Sequence, residues 1–306
     1  MKLAAEQCVK RAKVLRKFPA ATGETVQSQS YRMLEATALL GIWMLVGFWL
    51  KLDANSYLLL GLPITVVFQL LIRKAPLRDL WVRNGPPLHI SQLKPIAKLV
   101  ALIFAAANVL LTYEYYVATH NWIFVLYELV AILGTIPMAY SLHNFTRQMI
   151  RPLVMCLATA GILVVAIDIV TYWASVFELH TIAPVTAERF LYNWLVSMVQ
   201  YLPVVFLLEE VWFRGAFDSH IYHIGEKHWK LTALYVSVLW GAWHFPIAYT
   251  PRLGLEGSVV VLGELVLFQG AVGYFLSIYW RKSGNLLVPG SVHAFVDSVR
   301  NGFGLV

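Results

Sequence analysis

Long apolar runs dominate the sequence, and each is about as long as a helix that crosses a bilayer. A spanning helix needs about 20 mostly apolar residues. Of the 306 residues, 59% are hydrophobic and only 13% are charged, which is too apolar for a soluble domain. We therefore predict an all-α polytopic transmembrane helix bundle of about eight to nine spans, of which the second and last are the weakest. The runs lie near residues 33–50, 57–72, 96–117, 122–142, 153–177, 190–213, 231–249, 258–280 and 286–306.

The distribution of Lys and Arg predicts how these spans are oriented. Twenty of the 24 cations fall in alternate hydrophilic segments, beginning with the N-terminal one, and four fall in the others. Cytoplasmic loops carry the excess of Lys and Arg, so the N-terminus is expected in the cytoplasm. We expect an integral, multi-pass protein of a bacterial-type cell membrane. The net charge of +7 then indicates an anionic lipid leaflet as the partner, and no nucleic acid.

Charged side chains inside the apolar runs are costly and indicate function by default. Glu35, Glu128 and Asp168 each lack an obvious helical neighbour of opposite charge, and interhelical hydrogen bonding is the simplest interpretation of each. Glu264 and Gln269 in the eighth run have the same interpretation, although a polar helix beside a catalytic cavity would also explain them.

The sixth run carries a dense polar cluster. Glu210 and Arg214 are four residues apart with the acid first, which is the favourable order for a helical ion pair. Glu209 points about a hundred degrees away along the same predicted helix. An unpaired carboxylate in an apolar setting suits general-base chemistry, whereas a solvated helix end is the alternative interpretation.

Two further runs place histidines in apolar surroundings. His244 follows Trp240 by one helical turn, and His293 and Asp297 share a helix face at the same spacing. A buried core histidine and a structural His–Asp hydrogen bond would account for each motif alone. Three such motifs within the last hundred residues favour a common catalytic site.

These residues resemble the motifs of the CPBP family of intramembrane proteases. That group comprises the type II CAAX prenyl endopeptidases, the bacteriocin-processing proteases and the abortive-infection proteins. Its pattern is EExxxR, then FxxxH, then HxxxN or HxxxD, on separate membrane helices. Glu209, Glu210 and Arg214 match the first motif, His244 the second, and His293 with Asp297 the third. Trp240 replaces the usual Phe.

The resemblance covers roughly residues 190–306 and implies a division of the chain. We expect a basic cytoplasmic tail over residues 1–30, N-terminal transmembrane helices over 31–189, and a catalytic transmembrane core over 190–306. The tail is basic and roughly amphipathic, and no short apolar core with a cleavage site follows it, so we expect it to be retained.

The resemblance also implies peptide-bond hydrolysis by water in a membrane-associated or prenylated protein or peptide. Glu209 would be the base, His244 would position the water, and Glu210 with Arg214 would support the helix. Independently, two histidines and a carboxylate can hold Zn²⁺ as catalytic zinc sites do, so Glu209, His244 and His293 are candidate ligands. A mechanism without metal stays equally open.

Asp297 stands where the best-known members carry Asn as a proposed oxyanion donor. An ionised aspartate would repel an oxyanion, so Asp297 must be protonated, orient His293 or help to hold a metal.

Two other functional classes fit the same residues. A proton- or ion-coupled transporter would use buried Glu, Asp and His as a relay. A catalytically silent immunity or scaffold protein would keep the fold and bind a partner.

His220, His223 and His228 resemble a metal cluster, but we expect a solvated loop there. Helix lengths counted from the loops lead us to expect a site in the cytoplasmic half of the bilayer, reached by water from that side.

Overall fold

The computed structural model describes residues 28–249 and 254–305, and within them the chain is helical, with one isolated bridge between Val82 and Asn285. The predicted basic tail lies outside the described residues, apart from its last three positions. Over residues 28–249 and 254–305, nine long helices follow one another, interrupted in places by π-helical turns. They are α1 (Gln29–Leu50), α2 (Ala54–Ile72), α3 (Pro95–Thr119), α4 (Trp122–His143), α5 (Arg147–Glu178), α6 (Ala187–Val204), α7 (Trp229–Ala248), α8 (Gly254–Ser283) and α9 (Leu287–Gly302).

The predicted all-α polytopic membrane bundle is confirmed. Seven of the described helices, α1 to α5 together with α7 and α8, are long and apolar enough to cross a membrane. The second run, which we ranked among the weakest, is one of them. The helices α6 and α9 fall outside that set, because α6 includes Glu188 and Arg189 and α9 has only 16 residues and includes Asp297 and Arg300.

Polar residues at the helix starts explain where several helices begin. The side chains of Ser28, Asp53, Asn121 and Thr186 each accept a hydrogen bond from a backbone N–H in the first turn of α1, α2, α4 and α6. Such caps satisfy amide groups that have no partner inside the helix. The hydroxyl and N–H of Ser56 also hold the pKa of the Asp53 carboxyl below its usual value.

Contacts between connections define one face of the bundle, which we call the basic face. Here the backbone N–H of Arg83 donates to the carbonyl of Gly284 at 2.8 Å, and the N–H of Lys94 donates to Nδ1 of His143 at 3.0 Å. The α2–α3, α4–α5 and α8–α9 connections therefore lie together. The α6–α7 connection joins them through Asp218, which accepts a hydrogen bond from Nε of Arg281 at 2.7 Å.

The other helix ends form the opposite face, which we call the open face. The ring of Phe48 near the end of α1 contacts those of Phe245 and Tyr249 at 5.6 and 5.5 Å. Tyr172 of α5 stacks on Phe303 after α9 at 4.8 Å. The helices thus alternate in direction between the two faces, as a polytopic bundle requires.

Close helix approach holds the polar C-terminal helices together. The α7 helix packs along α8, and α6 packs along α9. A Cβ added at Gly241 of α7 would lie 2.6 Å from the carbonyl oxygen of Leu265, so only glycine allows this approach. The buried core lies beside these helices and is rich in aromatic side chains, including Trp43, Trp212 and Trp243.

Candidate active site

A break in the sixth predicted span positions the acidic pair. The helix α6 ends at Val204 and turns follow before the chain becomes helical again at Glu209, so the continuous helix expected over 190–213 is wrong. Pro203 has no N–H to donate to the carbonyl of Val199, and Asn108 Nδ2 donates to that carbonyl instead at 2.9 Å.

The carbonyl of Phe206 in the break also has a partner outside the helix. Nε1 of Trp81, in the α2–α3 connection, donates to it at 2.7 Å. The chain then continues as a π-helical segment, Val211–Asp218, in which every residue is buried. Wide π-helical turns occur often at functional sites. Side chains from α3 and from the α2–α3 connection therefore hold the break that precedes Glu209.

Three side chains converge on one oxygen of Glu209. Nε1 of Trp240 donates a hydrogen bond to Oε2 at 3.3 Å, and Nε2 of His244 and of His293 lie 3.6 and 3.9 Å from the same oxygen. The carboxylate is 21% exposed and lines a cavity. The expectation of an unpaired Glu209 is therefore wrong, because α7 and α9 bring partners that the local sequence does not show.

Glu210 is buried in the protein interior behind Glu209 and does not line the cavity. Its Oε2 is 3.5 Å from Nε of Arg214, with both side chains fully buried, as the ion-pair spacing predicted. Its Oε1 is 3.0 Å from Nδ1 of His293. The guanidinium of Arg214 also lies over the ring of Trp240 at 4.9 Å. Glu210 is thus shared between its helix partner and a catalytic candidate on α9.

Carboxylates face both ring nitrogens of His293. Nδ1 faces Glu210, and Nε2 is 3.3 Å from Oδ2 of Asp297, which confirms the predicted shared face of His293 and Asp297. Arg300 lies 3.9 Å from the other oxygen of Asp297. The contacts at both ring nitrogens hold His293 in one orientation, and a ring that carries a proton on each nitrogen donates toward both carboxylates.

The backbone of α7 fixes the orientation of His244. Its Nδ1 is 2.8 Å from the carbonyl oxygen of Trp240, and a carbonyl oxygen only accepts, so Nδ1 carries a proton. Nε2 is left to face Glu209 and the cavity. A histidine held in this way can bind a water molecule beside a carboxylate.

The cavity that these residues line has a volume of about 830 Å³. Its lining includes four of the candidate site residues, Glu209, His244, His293 and Asp297. Tyr201, Gln200 and Glu128 also line it, among others. Ligand pockets in proteins are commonly about 300–1,000 Å³, so this cavity has the size of a ligand site.

A metal site is not formed by the candidates in this arrangement. Among the described residues, no group of three or more His, Cys, Asp and Glu side chains could hold a metal ion. Zinc binding by Glu209, His244 and His293 stays a prediction.

Several polar residues outside the motifs have partners that the sequence did not show. Glu128 accepts a hydrogen bond from Gln200 Nε2 at 2.5 Å, which is the interhelical bonding we expected. Glu35 lies 2.9 Å from Nε2 of His220, a buried histidine, so a solvated position for His220 is wrong. A second buried ion pair, Asp218 with Arg281, was also missed. Its partners are 63 residues apart, and no local spacing points to it.

Comparison with known proteins gives one family. Residues 190–299 match the model of the Rce1-like type II CAAX prenyl endopeptidases. The matched stretch contains all three motifs, and it confirms the family resemblance for this part of the chain. Comparisons with curated proteins and with solved structures gave no significant match.

Proposed function

We propose, from the match of residues 190–299 to the Rce1-like type II CAAX prenyl endopeptidase model, that this integral membrane protein is an intramembrane endopeptidase. Its substrate is a membrane-associated or prenylated protein or peptide, and Glu209 activates the attacking water. The convergence of His244, His293 and Trp240 on Oε2 of Glu209, at the wall of the cavity, carries this proposal.

The first chemical step uses Glu209 and His244. A water held between Oε2 of Glu209 and Nε2 of His244 loses a proton to the carboxylate while its oxygen bonds to the carbonyl carbon of the scissile peptide. Glu209 then passes that proton to the leaving nitrogen as the C–N bond breaks. The products are a new carboxyl terminus and a new amino terminus, and atoms and charge balance.

His293 stabilises the charge that develops on the carbonyl oxygen. When Nδ1 donates to Glu210, a proton on Nε2 is directed toward Glu209, Asp297 and the cavity. A donor held in place before the reaction is worth more than one that must reorganise. Asp297 acts as the positioning residue that orients this ring, in preference to an oxyanion donor or a metal ligand.

Glu210 and Arg214 support the site from behind. A fully buried pair satisfies its charges internally, and Glu210 couples the pair to His293. Arg214 in turn packs on Trp240, which donates to Glu209. The motif residues therefore act as one connected unit.

Purified protein in detergent, given a membrane-tethered peptide library, tests the proposal. We expect cleavage by the wild type and its loss in Glu209→Ala and His244→Ala. Glu264→Gln is the matched control, because Glu264 is an exposed α8 carboxylate that does not line the cavity. Proton or ion flux in liposomes without cleavage would favour the carrier. An unchanged cellular phenotype in Glu209→Ala would favour a silent scaffold.

A further inference from the structure

The catalytic cavity reaches the open face of the bundle. Its outer wall is formed by residues in the terminal turns of their helices: Ala54 begins α2, Ala118 is next to the end of α3, and Phe124 is in the first turn of α4. Tyr192 near the start of α6 and Ile247 near the end of α7 complete this rim. All five are exposed, whereas His293 at the inner end is buried. We call these five residues the mouth.

The basic face is closed beneath Glu209. Trp212, Phe213 and Phe217 of the π-helical segment are completely buried there. A Cβ added at Gly215 would meet the carbonyl oxygen of Leu80, so the α2–α3 connection packs directly against this segment. No residue of that connection, 73–94, lines the cavity.

Charge separates the same two faces. Among the described residues after residue 32, thirteen Lys and Arg belong to segments at the basic face, and three, Lys51, Arg189 and Arg300, belong to segments at the open face. The positive-inside rule therefore assigns the closed face to the cytoplasm and the mouth to the outer side.

We propose that the cavity takes its substrate from the extracytoplasmic side of the membrane, as a polypeptide segment exposed at the outer face. The expectation that water reaches the site from the cytoplasmic side is not supported, because the inner end of the cavity is covered by packed aromatic side chains. The substrate part of this inference rests on the proposed endopeptidase function, whereas the direction of access does not.

The cavity wall offers a hydrogen-bond acceptor to such a segment. Glu128 is 3% exposed, and its Oε2 has no hydrogen-bond partner among the described residues. Glu128 lies between the mouth and Glu209 on the cavity wall. An extended peptide carries unpaired backbone N–H groups, which suit an acceptor in this position.

Cysteine labelling tests the direction of access without any substrate. In a background without native cysteines, made by Cys8→Ser and Cys156→Ala, Val196→Cys places a thiol on the cavity wall, and Leu195→Cys places one on the lipid-facing side of the same helix. Gln92→Cys marks the exposed basic face. A charged, membrane-impermeant maleimide applied to intact cells is expected to label Val196→Cys at least tenfold more than Leu195→Cys, and to label Gln92→Cys only after permeabilisation.

Two outcomes overturn the proposal. Labelling of Gln92→Cys from outside would mean that the basic face is external. Labelling of Val196→Cys only after permeabilisation would mean that the cavity opens inward. Each variant is first checked for complete labelling after denaturation, so a thiol that is missing or oxidised is recognised.

A reporter peptide separates this inference from the proposed function. The same cleavable peptide is fused to a single-span anchor so that it lies on the outer or on the inner face. We expect the wild type to cut the outer reporter only. Cleavage of the inner reporter alone overturns outer access, whereas no cleavage of either reporter contradicts the protease and leaves the labelling result standing.

Discussion

Asp297→Asn tests whether Asp297 acts by orienting His293. In the structure Oδ2 of Asp297 lies 3.3 Å from Nε2 of His293, and the aspartate side chain is 23% exposed. An asparagine keeps the size of the side chain and can still accept one hydrogen bond, but it removes the charge.

The expected loss follows from the difference between charged and neutral hydrogen bonds. A hydrogen bond to a charged group contributes about 1.5–3 kcal/mol and a neutral one about 0.5–1.5 kcal/mol, so the substitution should cost about 1–1.5 kcal/mol. Each 1.36 kcal/mol in a barrier is about tenfold in rate, so kcat/KM should fall about tenfold. Asp297→Ala removes the acceptor entirely and should cost about a hundredfold on the same reasoning.

The assay compares kcat/KM for cleavage of the tethered peptide, with thermal unfolding in detergent as a control for folding. An Asp297→Asn enzyme as active as the wild type, or more active, would refute the orienting role. That result would mean that the reaction needs a neutral side chain at position 297, which donates a hydrogen bond to the oxyanion.

Three further outcomes are expected. Trp240→Phe removes the N–H that donates to Glu209 but keeps the aromatic ring that is usual at this position of the family, so it should lower kcat about tenfold. Trp212→Phe should leave kcat within about twofold, because the indole nitrogen of Trp212 is buried without a partner among the described residues. Equal losses in the two variants would contradict a specific donor. Arg214→Leu leaves Glu210 buried without its cation and should reduce the free energy of unfolding by about 3–5 kcal/mol, as measured by denaturant titration; an unchanged midpoint would mean that the pair contributes little. Removal of metal by a chelator should leave cleavage within about twofold, because the proposed proton transfers use only Glu209 and His244; loss of activity restored by Zn²⁺ would instead assign Glu209, His244 and His293 as ligands.

The spans could be predicted from sequence because bilayer thickness fixes their length. All nine apolar runs correspond to helices in the structure, including α6 and α9, whose polar residues lower their hydropathy. The break after α6 was missed because it depends on Asn108 and Trp81, two side chains far away in the sequence that donate hydrogen bonds to backbone carbonyls at the break. Pro203 was the one local sign of it.

The contacts of the candidate site likewise fall into those that the sequence predicts and those that it does not. Contacts between residues four apart, such as Glu210 with Arg214 and His293 with Asp297, follow from helical geometry and were predicted. Contacts between helices, such as Glu210 with His293, depend on how the bundle packs. The open end of the cavity could not be predicted either, because helix lengths counted from the loops do not show that the π-helical segment closes the basic face.

Cleavage in water labelled with ¹⁸O tests the central claim most directly. Hydrolysis by water activated at Glu209 predicts that the wild type places one heavy oxygen in the new carboxyl terminus of the tethered peptide, as read by mass spectrometry. It also predicts that Glu209→Gln forms no such product, while Glu264→Gln behaves as the wild type. A labelled product formed by Glu209→Gln at the wild-type rate would contradict the assignment of Glu209 as the base.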